Sequence, residues 1–423
     1  QNIHKTEQVQ LTTIMKSVTI LTIAAMAMAA AAGCSHDNPT PSPEPPAKGG
    51  EFNEFGFTTT VPVTLCVDYG DMDGMPSNVY FEGYDTCPVE ETETAYARIA
   101  GTEPLYAGYT DEQGRFEGTI ELPSYIRKAY VLTPAFYART LLEATRSGDM
   151  LTAAAESGAP ANAAPASTRA KEYHSTAVER DGWKTWLGSY DTTYGSIGYE
   201  YKGDLKVKNY GALLKAHASV FDTTQKCPEE YRSSRDLYLE KSAEVVITLL
   251  GSNTCWNSSM GYYYYKTGNK PKSLADADVV MIFPNTQDGR WSNSPWESRL
   301  YQGVERGTAV QLIYYPEIAD GSKAGATTVF PADYRIGFVL ATNAWTNRLR
   351  AGDKKYRAAT SDGLSVNNNG VAYQTPRTAV FRYTDKKSGI NSVLFSFEDH
   401  NNDENFSDVV FTMTSNPVDA VTD

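Results

Sequence analysis

The sequence predicts a mainly β protein built from two β-sandwich domains, the second larger and jelly-roll-like. Short runs rich in Val, Ile, Thr and aromatic residues recur along the chain with turn residues between them, a pattern typical of sandwiches and jelly rolls. The length of 423 residues exceeds that of one ordinary domain. No repeat of fixed period is present, so the strands belong to globular domains.

The first 54 residues contribute no core. Met15-Lys16 and the apolar run Ser17–Ala32 predict a signal peptide at 1–33, with an overlong start before Met15. The run ends in Ala31-Ala32-Gly33-Cys34, which resembles the lipobox at which bacterial signal peptidase cuts, so we expect Cys34 to be diacylated and to anchor the protein to a membrane. Residues 34–54 are Pro-rich and predict an extended tether.

A small β-sandwich is predicted at 55–137, where short β-type runs alternate with turn residues. These runs are Thr58–Val67, Asn78–Phe81, Thr94–Ile99, Arg115–Leu122 and Lys128–Leu132. Residues 138–172 are rich in Ala, Ser and Pro and predict a linker. Residues 173–242 predict an aromatic linking segment with a short helix near Ala212–Val220.

The larger β-sandwich is predicted at 243–416, followed by a tail at 417–423. A domain of this size buries about 70% of its unfolded surface. Its predicted strands are Glu244–Leu250, Gly261–Tyr265, Asp278–Phe283, Ala309–Tyr315, Arg335–Leu340, Ala379–Tyr383, Ser392–Phe397 and Val409–Met413.

An acidic stretch between the last two of these strands carries the strongest chemical signal. Side-chain oxygens fall at nearly alternate positions, and Ca²⁺ requires six to eight oxygens from a compact turn. The predicted calcium ligands are Asp399, Asn401, Asp403, Asn405 and Asp408. The loop is no EF-hand, because Glu404 replaces the invariant Gly and Val410 the bidentate Glu. The alternative is a hairpin whose Asn and Asp residues serve turn geometry.

Two resemblances add to this interpretation. Phe397-Glu398-Asp399 followed by Asp403–Phe411 resembles the closing F-E-D and D-V-V-F signature of an uncharacterised β-domain in LruC-type bacterial surface lipoproteins. Asn257–Tyr263 and Arg335–Leu340 fit the same family, which implies a β-fold and exposure at the surface of a Gram-negative outer membrane. Tyr109–Phe116 resembles the T-D-x-x-G-x-F hairpin of carboxypeptidase-regulatory and transthyretin-like domains, which act as spacers.

Charge and cysteine content narrow the function. With 38 basic and 51 acidic residues the net charge is −13, which opposes binding of nucleic acid. Once Cys34 is lipidated four cysteines remain, and an even number in an exported chain indicates two disulfides. We expect Cys66 with Cys87 and Cys227 with Cys255, the alternative being buried free thiols.

Enzyme motifs are absent from the sequence: there is no G-x-S-x-G, no H-E-x-x-H and no phosphate-binding Gly loop. Glycan binding is an alternative, because 28 Tyr and 6 Trp supply aromatic faces for sugars. Trp291 and Trp296 are candidate ligand contacts in a predicted loop. The run Tyr262–Tyr265 is either a stacking surface or packed on both faces of its sheet.

These observations predict a non-catalytic, lipid-anchored protein of the bacterial cell surface that acts in adhesion or surface assembly. Its expected partners are the membrane, through the lipid anchor, and a surface protein or a glycan, and its predicted cofactor is Ca²⁺. Glycan capture is the alternative function, with a hydrolase third.

Overall fold

A computed structural model describes residues 59–70, 78–91, 96–155, 173–174, 183, 185–191, 194–208, 210–254, 256–287, 303–318, 322–345, 356–367, 369–384, 391–399 and 403–422. Thr58–Asp423 forms one compact unit. The predicted signal peptide, Cys34 and the tether lie outside the described residues. The described part is mainly β, as predicted.

The first nine strands lie between residues 60 and 154. They are β1 Thr60–Asp68, β2 Tyr80–Tyr84, β3 Val89–Glu91, β4 Tyr96–Arg98, β5 Tyr106–Tyr109, β6 Arg115–Pro123, β7 Lys128–Leu132, β8 Leu141–Ser147 and β9 Met150–Ala154. Seven form the N-terminal sheet in the order β5-β2-β7-β8-β9-β1-β6, and β3 pairs with β4. The parallel pairing of β1 with β9 is the exception among antiparallel neighbours. All five predicted strands are confirmed.

The N-terminal sheet folds over a core because its strands alternate buried and exposed residues. Val63, Leu65 and Val67 on β1 are buried, and Phe116 on β6 contacts Phe81 on β2 at 5.1 Å between ring centroids. A tight turn connects the two edge strands β5 and β6. In it Gly114 has φ +79°, a conformation that glycine adopts without strain.

The predicted linker at 138–172 is wrong in its first part. Residues 141–154 form β8 and β9, which pair with each other and join β7 to β1. The Ala residues that suggested disorder alternate with polar ones, and Ala144 and Ala153 are fully buried. Small side chains at every second position suit a strand packed closely beneath neighbours. The rest of the predicted linker, residues 156–172, lies outside the described residues.

The segment 173–242 forms one helix in its described part, α1 Tyr210–Ala218, which confirms the helix predicted near Ala212–Val220. It also contributes β10 Tyr173–His174, β11 Thr185–Trp186, β12 Tyr190–Asp191, the 3-10 turn Glu229–Tyr231 and β13 Leu237–Leu239. Strands β11 and β13 join a sheet of the C-terminal domain. This segment is therefore part of that domain and not a connection to it. No helix among the described residues is long and apolar enough to cross a membrane.

The C-terminal domain is a sandwich of two sheets. Its remaining strands are β14 Ala243–Ser252, β15 Ser259–Lys266, β16 Val280–Phe283, β17 Ala309–Gln311, β18 Val329–Phe330, β19 Tyr334–Ala341, β20 Arg357–Ala359, β21 Thr378–Thr384, β22 Asn391–Phe397, β23 Val409–Asn416 and β24 Val421–Thr422, with a 3-10 turn at Leu274–Asp276. Sheet I has the order β11-β16-β15-β19-β13-β24, with β20 beside β19. Sheet II has the order β17-β14-β23-β22-β21, with β18 beside β14. All eight predicted strands are confirmed, and the predicted tail supplies β24.

The two sheets enclose one apolar core. Phe338 of sheet I contacts Phe395 and Phe411 of sheet II at 5.4 and 5.0 Å between ring centroids, and all three are fully buried. Burial of each such side chain stabilises the fold by about 1.5–3 kcal/mol. This core fixes the register of β22 and β23, and therefore the position of the acidic stretch between them.

The N-terminal sheet and the C-terminal sandwich share a second core. Phe136 and Leu142 from the N-terminal part pack with Leu214 of α1 and with Leu394 and Val410 on the outer face of sheet II. The N-terminal sheet and the C-terminal sandwich therefore contact each other through a packed apolar interface. The two domains form one compact unit.

The predicted disulfide between Cys66 and Cys87 is wrong, because both residues are free thiols. Cys66 lies on β1, whose neighbours are β6 and β9, whereas Cys87 follows β2, whose neighbours are β5 and β7. Three strands separate β1 from β2 in the sheet, and adjacent strands are about 4.8 Å apart, which is too far for a disulfide. Cys227 is a buried free thiol, and Cys255 lies outside the described residues.

Candidate functional site: a buried acidic loop

The acidic loop, residues 398–408, connects β22 to β23 at one end of the C-terminal sandwich. Residues 400–402 lie outside the described residues. The two strands are antiparallel neighbours in sheet II, so the loop must reverse the chain over a short distance. Glu398, Asp399 and Asp408 are almost entirely buried, at 0%, 2% and 2% exposure. Ionised carboxylates are rarely buried to this extent unless they are paired.

Glu398 holds the backbone of the loop. Its Oε1 accepts the N–H of Glu404 at 3.3 Å and its Oε2 accepts the N–H of Phe406 at 3.1 Å. Glu404 and Phe406 both have φ +57°, a conformation that side-chain-bearing residues rarely adopt. Such strain persists where the surroundings determine it, and here one carboxylate fixes both residues. Arg377 forms an ion pair with Glu398 Oε1 at 3.5 Å.

Asp399 and Asp408 join the two ends of the loop. The N–H of Asp399 donates to Asp408 Oδ2 at 2.6 Å. The Thr254 hydroxyl donates to Asp399 Oδ2, and the Arg377 guanidinium donates to the Asp399 carbonyl. Each carboxylate therefore has a protein donor, and the loop is tied to the segment that follows β14.

Burial and mutual repulsion raise the pKa values of these acids. Burial, and then the neighbouring Asp403, raise the pKa of Glu398 well above its usual value. Burial and the charges of Asp399, Glu398 and Asp403 do the same for the pKa of Asp408. Burial raises the pKa of Asp403 to about 6. Buried carboxylates that lie close together are stabilised when a proton or a bound cation offsets their negative charge.

The predicted calcium ligands divide into three groups. Asp399, Asp403 and Asp408 lie in one cluster, whereas Asn401 lies outside the described residues. Asn405 serves the turn: its Oδ1 accepts the N–H and hydroxyl of Ser407 at 2.8 and 2.6 Å, and its amide donates to the Thr223 carbonyl at 3.0 Å. In the described part of the chain no group of three His, Cys, Asp or Glu side chains is arranged to hold a metal ion.

Glu398, Arg377 and Thr254 belong to this site but were not among the predicted residues. Glu398 stands next to Asp399 in the F-E-D part of the quoted signature, so a sequence signal for it was present, but it was left out of the predicted ligands. Arg377 and Thr254 are 21 and 145 positions from their partners. Only the pairing of strands brings them to the loop, and no local pattern could have indicated them.

A second polar residue fixes the loops around the site. Gln287 is fully buried, and its amide donates to the carbonyl of Thr254 at 2.7 Å and accepts the Ser252 hydroxyl at 2.9 Å. The chain after β16 is thereby joined to the chain after β14. Because Thr254 also binds Asp399, a continuous network connects three loops at this end of the sandwich, and such networks hold a single arrangement when their members are satisfied.

The four tyrosines of β15 are packed on both faces of sheet I. Tyr262 and Tyr264 donate to the carbonyls of Ile313 and Tyr315 at 2.6 and 2.9 Å, while the hydroxyls of Tyr263 and Tyr265 face Asp236. The packed alternative is therefore confirmed for this run. Trp291 and Trp296 lie outside the described residues, so their predicted contacts with a glycan stay a prediction.

One arrangement resembles a catalytic pair. Ser396 Oγ lies 2.9 Å from His217 Nε2, the separation expected of a nucleophile and its base. Both residues are buried, and His217 Nδ1 has no hydrogen-bond partner among the described residues. The hydrogen bond joins α1 to β22 of sheet II.

The fold and the acidic loop together define a mainly β protein with a C-terminal β-sandwich and a buried carboxylate cluster. Residues 61–155 match the family described as "Domain of unknown function (DUF8469)", which corresponds to the N-terminal sheet. Residues 330–416 match "Domain of unknown function (DUF4114)", which covers β19 to β23 and the acidic loop. No curated protein and no solved structure matches the chain significantly.

Proposed function

We propose that this protein is a non-catalytic, lipid-anchored protein of the Gram-negative cell surface. Its C-terminal sandwich acts in adhesion or surface assembly, and Ca²⁺ stabilises its acidic loop. The observation that carries the non-catalytic role is the position of the acids: Glu398 and Asp408 are buried and bind backbone N–H groups. A carboxylate in that position shapes a loop, whereas general acid–base catalysis needs a carboxyl group that reaches its substrate.

The calcium part of the proposal rests on charge. Beyond the effect of burial, the charges of Asp399, Glu398 and Asp403 raise the pKa of Asp408, and those of Asp403 and Asp399 raise the pKa of Glu398. Ca²⁺ binds carboxylate oxygens at about 2.3–2.6 Å. Binding requires Asp399 and Asp408 to exchange their present donors for the ion. The proposed ligands are therefore the carboxylates, with Asn405 left in its turn.

We expect Ca²⁺ to raise the melting temperature of the full chain and EDTA to reverse the rise. At a hundredfold excess over the dissociation constant the stabilisation is about 2.7 kcal/mol. Changing Asp403→Asn and Asp408→Asn together should abolish the response, because it removes two charged ligands. Mg²⁺ should substitute poorly, since it demands a tighter octahedral shell.

Asp419→Asn is the matched control, because Asp419 is an exposed acid of the same domain that pairs with Lys241. This variant should keep the full calcium response. Calorimetry that detects no binding at millimolar Ca²⁺, or an undiminished response in the Asp403/Asp408 double variant, would exclude calcium from the function.

The lipid anchor is tested separately at Cys34. We expect Cys34→Ser to release the protein from membranes and to block labelling with an acyl-chain probe, because acyl chains on this residue are the proposed attachment. Membrane fractionation and metabolic labelling measure both effects, with Cys66→Ser as the control that should stay anchored. A Cys34→Ser protein that remains in the membrane fraction and is still labelled would overturn the anchor.

A further inference from the structure

The interface between the N-terminal sheet and the C-terminal sandwich contains one ionisable ring at its centre. His217 is on α1 and is fully buried. Its ring stacks on Phe221 at 4.4 Å and meets the edge of Phe136 at 4.9 Å between centroids. Phe136 belongs to the N-terminal part, whereas Ser396, which bonds to Nε2 at 2.9 Å, belongs to sheet II. The ring therefore contacts both sides of the interface.

The surroundings of His217 suit only its neutral form. A neutral imidazole needs one donor and one acceptor contact at most, but a protonated ring carries two N–H donors and a positive charge. Nδ1 has no partner among the described residues, and the aromatic rings beside it cannot accept a strong hydrogen bond. Protonation would place an unpaired donor and a charge in an apolar core, which is strongly unfavourable.

Among the described residues, no acid acts on the pKa of His217 to offset the effect of burial. Burial lowers the pKa of His217 from its usual range to about 3, and burial is the cause of the shift. The elements packed around the ring carry several titratable or charged groups. They include Tyr210 and Lys215 on α1, Arg382 and Tyr383 on β21, Tyr137 beside Phe136, Arg306 bonded to Tyr137, Asp222 beside Phe221, and Glu398 two residues after Ser396. Glu398 faces Arg377 and the loop backbone instead.

We propose that His217 is a proton-sensitive latch, which holds the N-terminal sheet against the C-terminal sandwich at neutral pH and releases it when the ring is protonated in mild acid. This inference does not depend on calcium binding or on the lipid anchor. A surface protein with such a latch would change the relative freedom of its two domains between neutral and acidic surroundings.

The direction of the pH dependence follows from the difference in the pKa of His217 between the open and closed states. In the open state the ring is solvated and titrates near pH 6.5, above its value in the closed state. The closed form is therefore favoured above pH 6.5 and loses stability as the pH falls. Between pH 7 and pH 4.5 the opening equilibrium constant should rise about 70-fold from this one group.

Hydrogen exchange of the full chain, measured by mass spectrometry at pH 7 and 4.5 and corrected for intrinsic exchange rates, tests the proposal. Peptides covering 135–138, 213–221 and 394–396 should become less protected at pH 4.5. Peptides from the sandwich core, such as 245–249 on β14, should keep their protection. His217→Gln retains a donor for Ser396 but cannot be protonated, so this variant should lose the acid-induced change.

Ser396→Ala is the matched variant, because it removes the partner and keeps the titrating ring; its pH response should persist. The acids of the loop titrate in all three proteins, so the comparison isolates His217. Equal pH dependence in the parent and His217→Gln would overturn the latch, as would simultaneous loss of protection in the interface and in β14.

A measurement on the parent keeps the proposal testable if His217→Gln does not fold. Exchange of the imidazole C2 hydrogen reports the pKa of each histidine directly. His217 should show no midpoint above pH 5 while the interface is closed. A midpoint near 6.5 with the interface still protected would overturn the proposal.

Discussion

Glu398→Ala should destabilise the C-terminal sandwich by about 3–5 kcal/mol, the range found when one partner of a buried ionic contact is removed. The substitution leaves Arg377 without this partner and the N–H groups of Glu404 and Phe406 without their acceptor. Glu398 also holds Glu404 and Phe406 at φ +57°, a conformation that costs about 1–3 kcal/mol per residue. Without Glu398 these two residues should relax to other backbone conformations. The loop should therefore lose its conformation as well as stability.

Urea unfolding followed by tryptophan fluorescence measures this effect, because all 6 tryptophans lie between residues 183 and 345 and report on the C-terminal domain. Glu398→Gln keeps the shape of the side chain and one acceptor oxygen, so this variant should lose less stability than Glu398→Ala. Glu143→Ala removes an acid from an exposed ion pair with Lys128 and should behave like the parent. A Glu398→Ala midpoint within error of the parent would contradict the structural role assigned to Glu398.

Strands could be predicted because their signal is local. In β14 and β22 the apolar and β-branched residues are nearly continuous, and the structure buries almost every one of them between the two sheets and α1. Turn residues set the ends of these runs. Strands such as β18 and β24 have two residues each and owe their pairing to neighbours, so no pattern in the sequence could reveal them.

The linker prediction was wrong for a physical reason that applies generally. An Ala-rich segment buries little surface by itself, which favours disorder when the chain is considered locally. In β8 and β9, however, Leu142 and Leu151 supply the apolar burial, while Ala144 and Ala153 let the adjacent layer approach closely. The tertiary context, absent from a local pattern, decides the outcome.

The acidic loop was located correctly, but its internal roles were only partly predictable. From its spacing in the sequence, Asn405 was predicted to be a metal ligand like its acidic neighbours. In the structure its Oδ1 instead accepts a hydrogen bond from the N–H of Ser407. Glu404, which stands where an EF-hand would have Gly, has the positive φ that Gly would favour. Its side chain pairs with Lys226 and Arg232 at 3.1 and 3.3 Å, contacts that a glycine could not make.

A further buried carboxylate, on the face of sheet I that points away from sheet II, was not predicted from the sequence. Asp236 precedes β13 and is 4% exposed. Its oxygens accept hydroxyls from Thr360 at 2.6 Å, from Tyr265 at 2.8 Å and from Ser361, and Tyr263 lies 3.5 Å away. This carboxylate explains why two tyrosines of β15 face away from the sandwich core.

Asp236→Ala should destabilise the C-terminal sandwich by about 3–5 kcal/mol, because the buried hydroxyls of Thr360 and Ser361 lose their acceptor together and each unsatisfied group costs about 1–3 kcal/mol. Asp236→Asn should lose less, since its carbonyl oxygen still accepts and the hydroxyls can rotate. Tyr265→Phe alone should lose about 1 kcal/mol, but in the Asp236→Ala background it should be nearly neutral, because the acceptor is already gone. Urea midpoints of the parent, Asp236→Ala, Tyr265→Phe and the double variant that combines the two form a double-mutant cycle. Additive losses would show that Asp236 and Tyr265 act independently and would contradict the network.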